Sequence, residues 1–333
     1  MRLLVCGGAG FIGSNFVRQR LAGSDDEVVV LDKLTYAGRR ENLRDLEDDA
    51  RFSFIHGAIE DEAAVAQAIA GVDAVVNFAA ETHVDRSIAE PDAFVRTHAL
   101  GTYVLLEAAR RQQVRYLQVS TDEVYGSIEE GAFSESSPLE PSSPYSATKA
   151  GADLLVASYQ RTFGLETLIC RGSNNYGPYQ YPEKLIPLMV LNALHGDRLP
   201  VYGDGLNVRN WLFVEDFASG IAYVLEHGVP GATYNVGGPD EADNLTVVRR
   251  IIELCDAPES LIQFVADRPG HDRRYSLGSE KVAALGWRAG TRFEQGIERT
   301  VAWYRDNAWW WEPIRSGAYR EYYARQYGVA LAE

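Results

Sequence analysis

Three residues that can handle protons stand together in the segment VSTDEVYG, residues 119–126. They are Thr121, Asp122 and Glu123, and the apolar run VRYLQVS before them is typical of a buried strand. Eliminating water next to a ketone needs a base for the acidic carbon and an acid for the departing hydroxyl. Because neighbouring side chains in a strand point to opposite faces, both acids can serve one substrate only if the strand ends by Thr121. An isolated DE pair is more often an ordinary loop feature.

A tyrosine and a lysine follow in SPYSATKAG, where Tyr145 and Lys149 are spaced for one face of a helix that begins just after Pro144. A free tyrosine has a pKa of about 10 and is a poor base at neutral pH. A nearby ammonium, together with the positive charge of an oxidised nicotinamide, favours the phenolate. The pair therefore suits the removal of a proton from an alcohol while its hydride leaves. By itself the spacing is common on solvated helix faces.

A glycine pattern for dinucleotide binding comes directly after the first predicted strand, in CGGAGFIG. Gly7, Gly10 and Gly13 let the backbone approach a pyrophosphate at the positive end of the next helix. The alternative is a tight strand–helix turn. The next strand ends in Asp32, whose carboxylate can accept both ribose hydroxyls and would repel a 2′-phosphate. We therefore predict NAD, with NADP left open by three nearby cations, Lys33, Arg39 and Arg40.

These residues need a sheet to position them, and the first 170 residues alternate apolar runs with amphipathic segments. The predicted strands are 2–6, 28–32, 53–57, 73–79, 114–120 and 166–172. The alternation predicts an α/β fold, a Rossmann-type doubly wound parallel sheet, with ligands beyond the carboxyl ends of its strands. Pro, Tyr and Gly become frequent after residue 172 and indicate a smaller, mostly C-terminal substrate lobe. We expect 1–172 plus about 209–238 to bind NAD and about 173–208 plus 239–333 to bind the substrate.

Composition narrows the function further. The 333 residues include 32 Lys and Arg against 47 Asp and Glu, a net charge of −15. This charge argues against nucleic acid or an anionic membrane as a partner. The three cysteines, Cys6, Cys170 and Cys255, form no zinc pattern and fit a reducing cytoplasm. No apolar run approaches the roughly 20 residues of a membrane span. We expect a cytoplasmic protein without a metal site.

With the glycine pattern and the Tyr–Lys pair, the chain resembles the extended short-chain dehydrogenase/reductase family. STDEVYG looks like the signature of its dTDP-glucose 4,6-dehydratases. The likeness extends over nearly the whole chain, through FAAETHVDRSI, SPYSATKAG, SNNYGPYQYPEKLIPLM, LPVYGDGLNVRNWL, DRPGHDRRYSLG and WWWEPI. Related sugar-nucleotide decarboxylases tend to have Ser where Asp122 stands. The alternatives are the same dehydration of UDP- or CDP-glucose, a nucleotide-sugar 4-epimerase, which would not need the two acids, and a dinucleotide sensor, which would be expected to lose catalytic groups.

The resemblance implies a role for each group in turning dTDP-glucose into dTDP-4-keto-6-deoxyglucose and water. Tyr145 takes the proton from O4 while the C4 hydride passes to NAD. Thr121 hydrogen-bonds O4. Lys149 holds the nicotinamide ribose and lowers the pKa of the tyrosine. Glu123 then removes the C5 proton, Asp122 protonates the leaving C6 hydroxyl, and the hydride returns to C6. We expect NAD to stay bound through turnover and the pKa of Asp122 to be raised by burial beside Glu123.

The resemblance also implies which residues contact the ligands. The cofactor set is Gly7, Gly10, Phe11, Ile12, Gly13, Asp32, Lys33, Ala58, Ile59, Ala79, Ala80, Thr97, Ser120, Tyr145, Lys149 and Asn174. The substrate set is Thr82, His83, Asn175, Glu183, Lys184, Leu185, Pro200, Tyr202, Arg209, Asn244, Arg268 and His271. Arginine forks match phosphate oxygens, and the segment from Pro200 to Tyr202 is expected to cradle the base.

Some positions depart from the family pattern. Ala58 stands where an Asp normally contacts the adenine side, so NAD could be held less tightly. Gly172 replaces a Cys near the nicotinamide, and His98 replaces an Asn. The family further implies a homodimer packed through helices around 92–111 and 145–163. Those helices could equally serve only to cover the sheet.

Overall fold

Parallel strands form the centre of the structure, a computed structural model that describes residues 1–267, 271–316 and 318–327. The strands are β1 (Arg2–Cys6), β2 (Glu27–Asp32), β3 (Phe52–His56), β4 (Ala74–Asn77), β5 (Arg115–Thr121), β6 (Thr167–Gly172), β7 (Asn174–Tyr176), β8 (Leu199–Tyr202), β9 (Val208–Phe213), β10 (Thr233–Val236), β11 (Asp240–Asp243) and β12 (Ile262–Val265). Seven of them pair in the order β10-β6-β5-β4-β1-β2-β3, all parallel. The six strands predicted before residue 172 are all present, within two residues at each end.

Helices cover both faces of this sheet. The helices of the described residues are α1 (Phe11–Gly23), α2 (Glu62–Ala68), α3 (Val84–Ala89), α4 (Pro91–Phe94), α5 (Thr102–Gln112), α6 (Pro144–Phe163), α7 (Leu185–His195), α8 (Val214–His227), α9 (Asn244–Leu254), α10 (Glu280–Leu285), α11 (Phe293–Asp306), α12 (Ala308–Trp311) and α13 (Ala318–Tyr327). A π-helical segment, Val95–Gly101, joins α4 to α5. Side chains of α1 and α8 pack on one face, and those of α2, α5 and α6 pack on the other. The nearly continuous apolar strands are therefore buried on both sides, as a parallel sheet requires.

The strand order reverses between β1 and β4, because the chain runs outward from β1 through β2 to β3 and then returns to β4 on the other side. Neighbouring loops leave the sheet in opposite directions at such a point, and a crevice opens at the carboxyl ends of the strands. The glycine-rich segment after β1 faces this crevice. The predicted fold class is therefore confirmed.

A smaller lobe contains the β11-β9-β7 sheet and the parallel β8–β12 pair. Its core joins α7, α9 and α11 to aromatic residues near the C-terminus, including Trp310 and Tyr323. Within the predicted return segment 209–238, α8 and β10 pack into the large sheet, whereas β9 is the middle strand of the small sheet. In the described part of the chain, no helix is long and apolar enough to cross a membrane.

Candidate active site

The loop between β1 and α1 is held backbone against backbone. Gly7 has φ of 73°, and a Cβ there would lie 2.5 Å from the backbone nitrogen of Ala79. A Cβ on Gly13 would overlap the carbonyl oxygen of Gly7. Only glycine fits these two positions, so the N-terminus of α1 stays open to the cavity, which Gly10, Phe11 and Ile12 also line. The loop therefore suits a pyrophosphate at the start of the helix.

Asp32 is fixed at the end of β2 beside the same cavity. Its Oδ2 accepts a hydrogen bond from the backbone N–H of Ala9 (2.9 Å), and its Oδ1 accepts one from Leu34 (2.8 Å). Burial raises the pKa of this carboxyl, and the two backbone hydrogen bonds oppose that rise. Each oxygen keeps a lone pair for a ribose hydroxyl.

The three cations near Asp32 that could have bound the 2′-phosphate of NADP each have acidic partners. Lys33 Nζ lies 3.2 Å from Glu81 and 3.7 Å from Glu60, and it donates a hydrogen bond to Thr97. Arg39 pairs with Glu41, and Arg40 pairs with Glu47. An ammonium between two carboxylates is a weak partner for a 2′-phosphate, so the geometry favours the cofactor without that group.

The helix that carries the Tyr–Lys pair begins at Pro144, one residue before the predicted start. Ser143 caps α6 in a capping box with Ser146, and Pro144 occupies the first turn. Both Tyr145 and Lys149 are buried. Lys149 Nζ donates to the carbonyl oxygen of Val119, 2.6 Å away at the end of β5. Burial lowers the pKa of Lys149 to about 8, and the charge of Asp153 opposes that fall.

Tyr145 departs from the sequence expectation. Burial, followed by the negative charge of Glu123, raises its pKa, and a hydrogen bond with Thr121 opposes the rise. The expected lowering of this pKa by Lys149 does not prevail, since burial outweighs the opposing influences. Lys149 itself donates its hydrogen bond to the backbone of β5. The protein alone therefore keeps this phenol protonated at neutral pH.

The two acids leave the strand just after β5 ends at Thr121, as the argument from strand geometry requires. Residues Asp122–Tyr125 form a 3₁₀ turn capped by Thr121, whose Oγ1 accepts from the backbone N–H of Glu123 (3.2 Å). Both acids line the cavity. The turn therefore removes the strand alternation that would have separated them.

Asp122 is 2% exposed, and burial followed by the charge of Glu123 raises its pKa to about 8. The predicted direction and its causes are confirmed. Its Oδ1 accepts from the Thr121 hydroxyl at 3.3 Å. Within the described ranges, Oδ2 is buried without a hydrogen-bond partner, as are Ser120 Oγ, Asn174 Oδ1 and Asn175 Oδ1. These four buried polar atoms belong to residues that line the cavity, so the cavity is built for a polar ligand.

The cavity brings together all five predicted catalytic residues and nearly all of the predicted cofactor residues. Those that line it are Gly7, Gly10, Phe11, Ile12, Gly13, Asp32, Lys33, Ile59, Ala79, Ala80, Thr97, Ser120, Thr121, Asp122, Glu123, Tyr145, Lys149 and Asn174. Of the residues that the structure describes, Ala58 is the predicted cofactor residue that does not line the cavity, although its neighbours Gly57 and Ile59 do. The residues present therefore fit a dinucleotide that runs from the α1 N-terminus to the Tyr–Lys pair.

Comparison with known proteins agrees with this geometry. A family model described as GDP-mannose 4,6 dehydratase matches residues 4–300. The chain belongs to this family. A dTDP-glucose 4,6-dehydratase of Streptomyces niveus is 51% identical over 323 residues, which cover 95% of this chain and 96% of the relative. The resemblance predicted from STDEVYG and the longer blocks is confirmed.

Solved structures give the same picture. DesIV, a dTDP-glucose 4,6-dehydratase of Streptomyces venezuelae solved with NAD bound, superposes with a TM-score of 0.93 and 54% identity, covering 94% of this chain and 100% of DesIV. A Thermus thermophilus UDP-glucose 4-epimerase, solved with NAD, reaches a TM-score of 0.85 and 33% identity, covering 92% and 100%. Dehydratases and epimerases thus share this fold, and only the site can separate them.

Some residues that the dehydratase family places on the substrate line the cavity, namely Thr82, Asn175 and Lys184. Lys184 Nζ donates to the carbonyl oxygen of Thr82 at 2.6 Å and thereby joins two sides of the cavity. The Glu183 carboxylate accepts from the Tyr36 hydroxyl (2.7 Å) and from Arg86 (3.2 Å). Contact between Glu183 and a diphosphate would therefore come from its backbone.

The other predicted substrate residues that the structure describes are not among the residues that line this cavity. Arg209 is buried on β9, with its guanidinium 4.4 Å from the centre of the Tyr275 ring. The Tyr202 and His271 rings lie 6.2 Å apart. The remaining residues are His83 before α3, Leu185 at the start of α7, Pro200 on β8 and Asn244 at the start of α9. Arg268 lies outside the described residues.

Sequence reasoning missed several cavity residues: Thr35, Tyr36, Ala37, Gly38, Glu81, Gln180, Tyr181 and Phe217. The segment 35–38 follows β2, so the rule that ligands bind beyond strand ends could have found it. Glu81 stood inside a block already matched to the family. Phe217 had no local signal, because it reaches the cavity from α8. A Cβ on Gly172 would overlap the Phe217 ring, so the glycine makes room for it.

Proposed function

We propose that the protein is an NAD-dependent lyase that converts dTDP-glucose to dTDP-4-keto-6-deoxyglucose and water. The observation that carries this proposal is the pair Asp122 and Glu123, placed after the end of β5 in the same cavity as Tyr145 and Lys149. An oxidoreductase that only moves hydride at C4 needs no acid–base pair beyond the tyrosine. An elimination needs both.

NAD supplies the hydride acceptor for C4 and the hydride donor for C6. The loop from Gly7 to Gly13 would hold its pyrophosphate and Asp32 its adenine-side ribose, while Lys149 and Asn174, which line the same cavity, would contact the nicotinamide end. The buried, unpartnered Oγ of Ser120 and Oδ1 of Asn174 are suited to hydrogen bonds with the bound cofactor. Binding therefore satisfies polar groups that the fold has already buried.

Tyr145 takes the proton from O4, and the Thr121 hydroxyl orients that oxygen. Since burial raises the pKa of Tyr145, the step needs positive charge close to the phenol. Lys149 is the cationic side chain on the same face of α6, one turn away. Its pKa of about 8 keeps most of it as the ammonium at neutral pH.

Glu123 removes the proton from C5, which the C4 ketone has made acidic. Asp122 is protonated at neutral pH, so it can donate its proton from Oδ2 to the C6 hydroxyl as water leaves. Glu123 then returns its proton to C5. Tyr145 releases the proton taken from O4, Asp122 takes up one proton in place of the one lost with water, and each group regains its starting state. The two carboxyls thus divide acid and base roles because only Asp122 is deeply buried.

The alternatives differ at identifiable places. A 4-epimerase would need neither Asp122 nor Glu123 for its reaction, so the presence of both acids argues against an epimerase. Dehydration of UDP- or CDP-glucose would use the same acids, and the choice of base would lie with Pro200–Tyr202 and their neighbours on β8.

We infer a homodimer through the segment 91–112 and α6. Five large apolar side chains on these helices are solvent-exposed in the single chain: Val95, Leu100, Tyr103, Leu154 and Phe163. A second copy of the chain would cover these side chains. Packing of the same helices against the sheet leaves them exposed. We also propose a cytoplasmic location, which suits three cysteines that remain unpaired.

The test supplies dTDP-glucose labelled with deuterium at C4, with UDP- and CDP-glucose in parallel. We expect a 4-keto product that carries the label at C6, formed fastest from the dTDP sugar. A C4 epimer, or the absence of any keto product from all three sugars, would refute the dehydratase proposal. A faster reaction with UDP- or CDP-glucose would refute only the base assignment.

A further inference from the structure

Three ionisable residues form a stripe along α6. Tyr145, Lys149 and Asp153 follow one another at intervals of four residues, so they lie on one face of the helix. Asp153 is 1% exposed. The first two residues have roles in the proposed reaction, and the third has none so far.

Arg171, near the end of β6, joins this stripe to the turn that carries the acids. Its Nε donates to Asp153 Oδ2 (2.8 Å), and its Nη1 donates to the hydroxyl of Tyr125 (2.8 Å). Tyr125 ends the 3₁₀ turn that begins with Asp122 and Glu123, and its hydroxyl donates onward to Asn235 Oδ1 (2.8 Å) on β10. One guanidinium therefore contacts the helix of the Tyr–Lys pair and the turn of the Asp–Glu pair.

A buried ion pair is weak evidence for a stabilising role, since desolvation of the two charges offsets much of their attraction. Its placement suggests another use. We propose that Asp153 and Arg171 are positioning residues for the dehydration, Asp153 keeping Lys149 an ammonium and Arg171 holding the Asp122–Glu123 turn against α6. This inference rests on the proposed function for the reaction that the two residues serve.

Among the described charged groups around Lys149, Asp153 is the one that favours the ammonium form of Lys149. Burial lowers the pKa of Lys149, and Asp153 is the charge that opposes the fall. His98, from the π-helical segment, is itself held neutral by burial and by Lys149, which lower its pKa well below the usual value. Beyond β5, Asp122 is protonated near neutrality and Glu123 acts on Tyr145. Arg171 approaches from β6, and its own charge is directed to Asp153.

The decisive measurement titrates Lys149 directly, without substrate. The chain has only four lysines, Lys33, Lys149, Lys184 and Lys281. Lysine labelled at the ε position therefore gives few NMR signals, and the Lys149→Arg variant assigns the one of interest. We expect Asp153→Asn to move the titration of Lys149 to lower pH by about one pH unit, the order expected for losing a carboxylate about one helical turn away.

The direction of this change separates an electrostatic role from a structural one. If the substitution merely loosened the core, water would reach Lys149 and move its titration up, towards the usual value for an exposed lysine. An unchanged or higher midpoint in Asp153→Asn would overturn the proposal. If the single variant leaves Arg171 buried without a partner and unfolds, the double variant Asp153→Asn/Arg171→Gln is compared with Arg171→Gln alone, and its Lys149 midpoint must be the lower of the two.

Asp26→Asn is the matched control. It breaks another buried arginine–aspartate pair, Arg20 with Asp26, at the opposite end of the sheet. We expect it to leave the Lys149 titration unchanged. A shift like that of Asp153→Asn would show that any buried ion pair has the same effect, and would overturn the assignment.

Enzyme assays test both halves of the inference, the role of Asp153 and the role of Arg171. Asp153→Asn should lose keto-product formation mainly at alkaline pH, because its Lys149 deprotonates earlier. Arg171→Gln should slow product formation by about ten- to a hundredfold at all pH values, the scale of a misplaced catalytic group, with Arg171→Lys restoring part of the rate. Equal rates in Arg171→Gln and the unmodified protein would refute the role of Arg171. Since the NMR titration uses no substrate, its result stands apart from the fate of labelled dTDP-glucose.

Discussion

Asp122 should make the folded protein less stable than its asparagine variant, because the fold forces a carboxyl group to stay protonated. The carboxyl has a pKa of 3.8 when exposed and about 8 in the folded protein. At pH 7 the unfolded chain therefore carries a carboxylate and the folded chain an acid. Each pH unit between the two pKa values costs about 1.4 kcal/mol of stability, so the cost is about 4 kcal/mol at pH 7.

The sign of the pH dependence follows from the same two values. Below pH 3.8 both states are protonated and the cost vanishes. Stability is lost progressively as the pH rises from 3.8 to about 8, and above that the loss is constant at about 6 kcal/mol. Asp122→Asn keeps the size of the side chain and cannot ionise. Its advantage over the unmodified protein should therefore be about 2 kcal/mol at pH 5 and about 4 kcal/mol at pH 7.

Urea unfolding of both proteins at pH 5, 7 and 8 measures this difference. Asp48→Asn, at an exposed aspartate, is the matched control and should show no such trend. In the enzyme assay, Asp122→Asn should lose about 10²- to 10⁴-fold in keto-product formation, the contribution of a general acid. A stability difference that does not grow with pH would mean that Asp122 is ionised in the folded protein, and the acid role would fall with it.

Three further predictions address the neighbouring groups. Glu123→Gln should still oxidise C4 and accumulate reduced nicotinamide while dehydration falls about 10²- to 10⁴-fold; dehydration at the normal rate would exclude Glu123 as the base. Ala58→Asp should raise the fraction of NAD retained through gel filtration, with Ala58→Asn as the uncharged control. Equal, full retention in the unmodified protein would show that Ala58 does not weaken NAD binding. Gly7→Ala should lose bound NAD and stability, because the new methyl group meets the backbone of Ala79 and a positive φ strains alanine; unchanged cofactor content would contradict the tight packing of the loop.

Much of the site was predictable because its signals are local. Residues close together in sequence determine three features: the end of β5 at Thr121, the start of α6 at Pro144 and the glycine loop after β1. A helix brings residues four apart onto one face in any fold, so the Tyr145–Lys149 pair needed no tertiary information. Even the direction of the Asp122 pKa shift followed from two adjacent acids in a buried turn.

Sequence patterns alone predicted the parallel sheet, the glycine loop after β1 and the residues that we propose as proton-transfer groups. The protonation and hydrogen bonding of these residues depend on contacts that form only in the folded chain. Lys149 donates to Val119 on another element, Glu183 is held by Tyr36 and Arg86, and Arg171 meets Asp153 across the interface of β6 and α6. The physical reason is that protonation depends on burial and on charges a few ångströms away, and those neighbours come from distant parts of the chain.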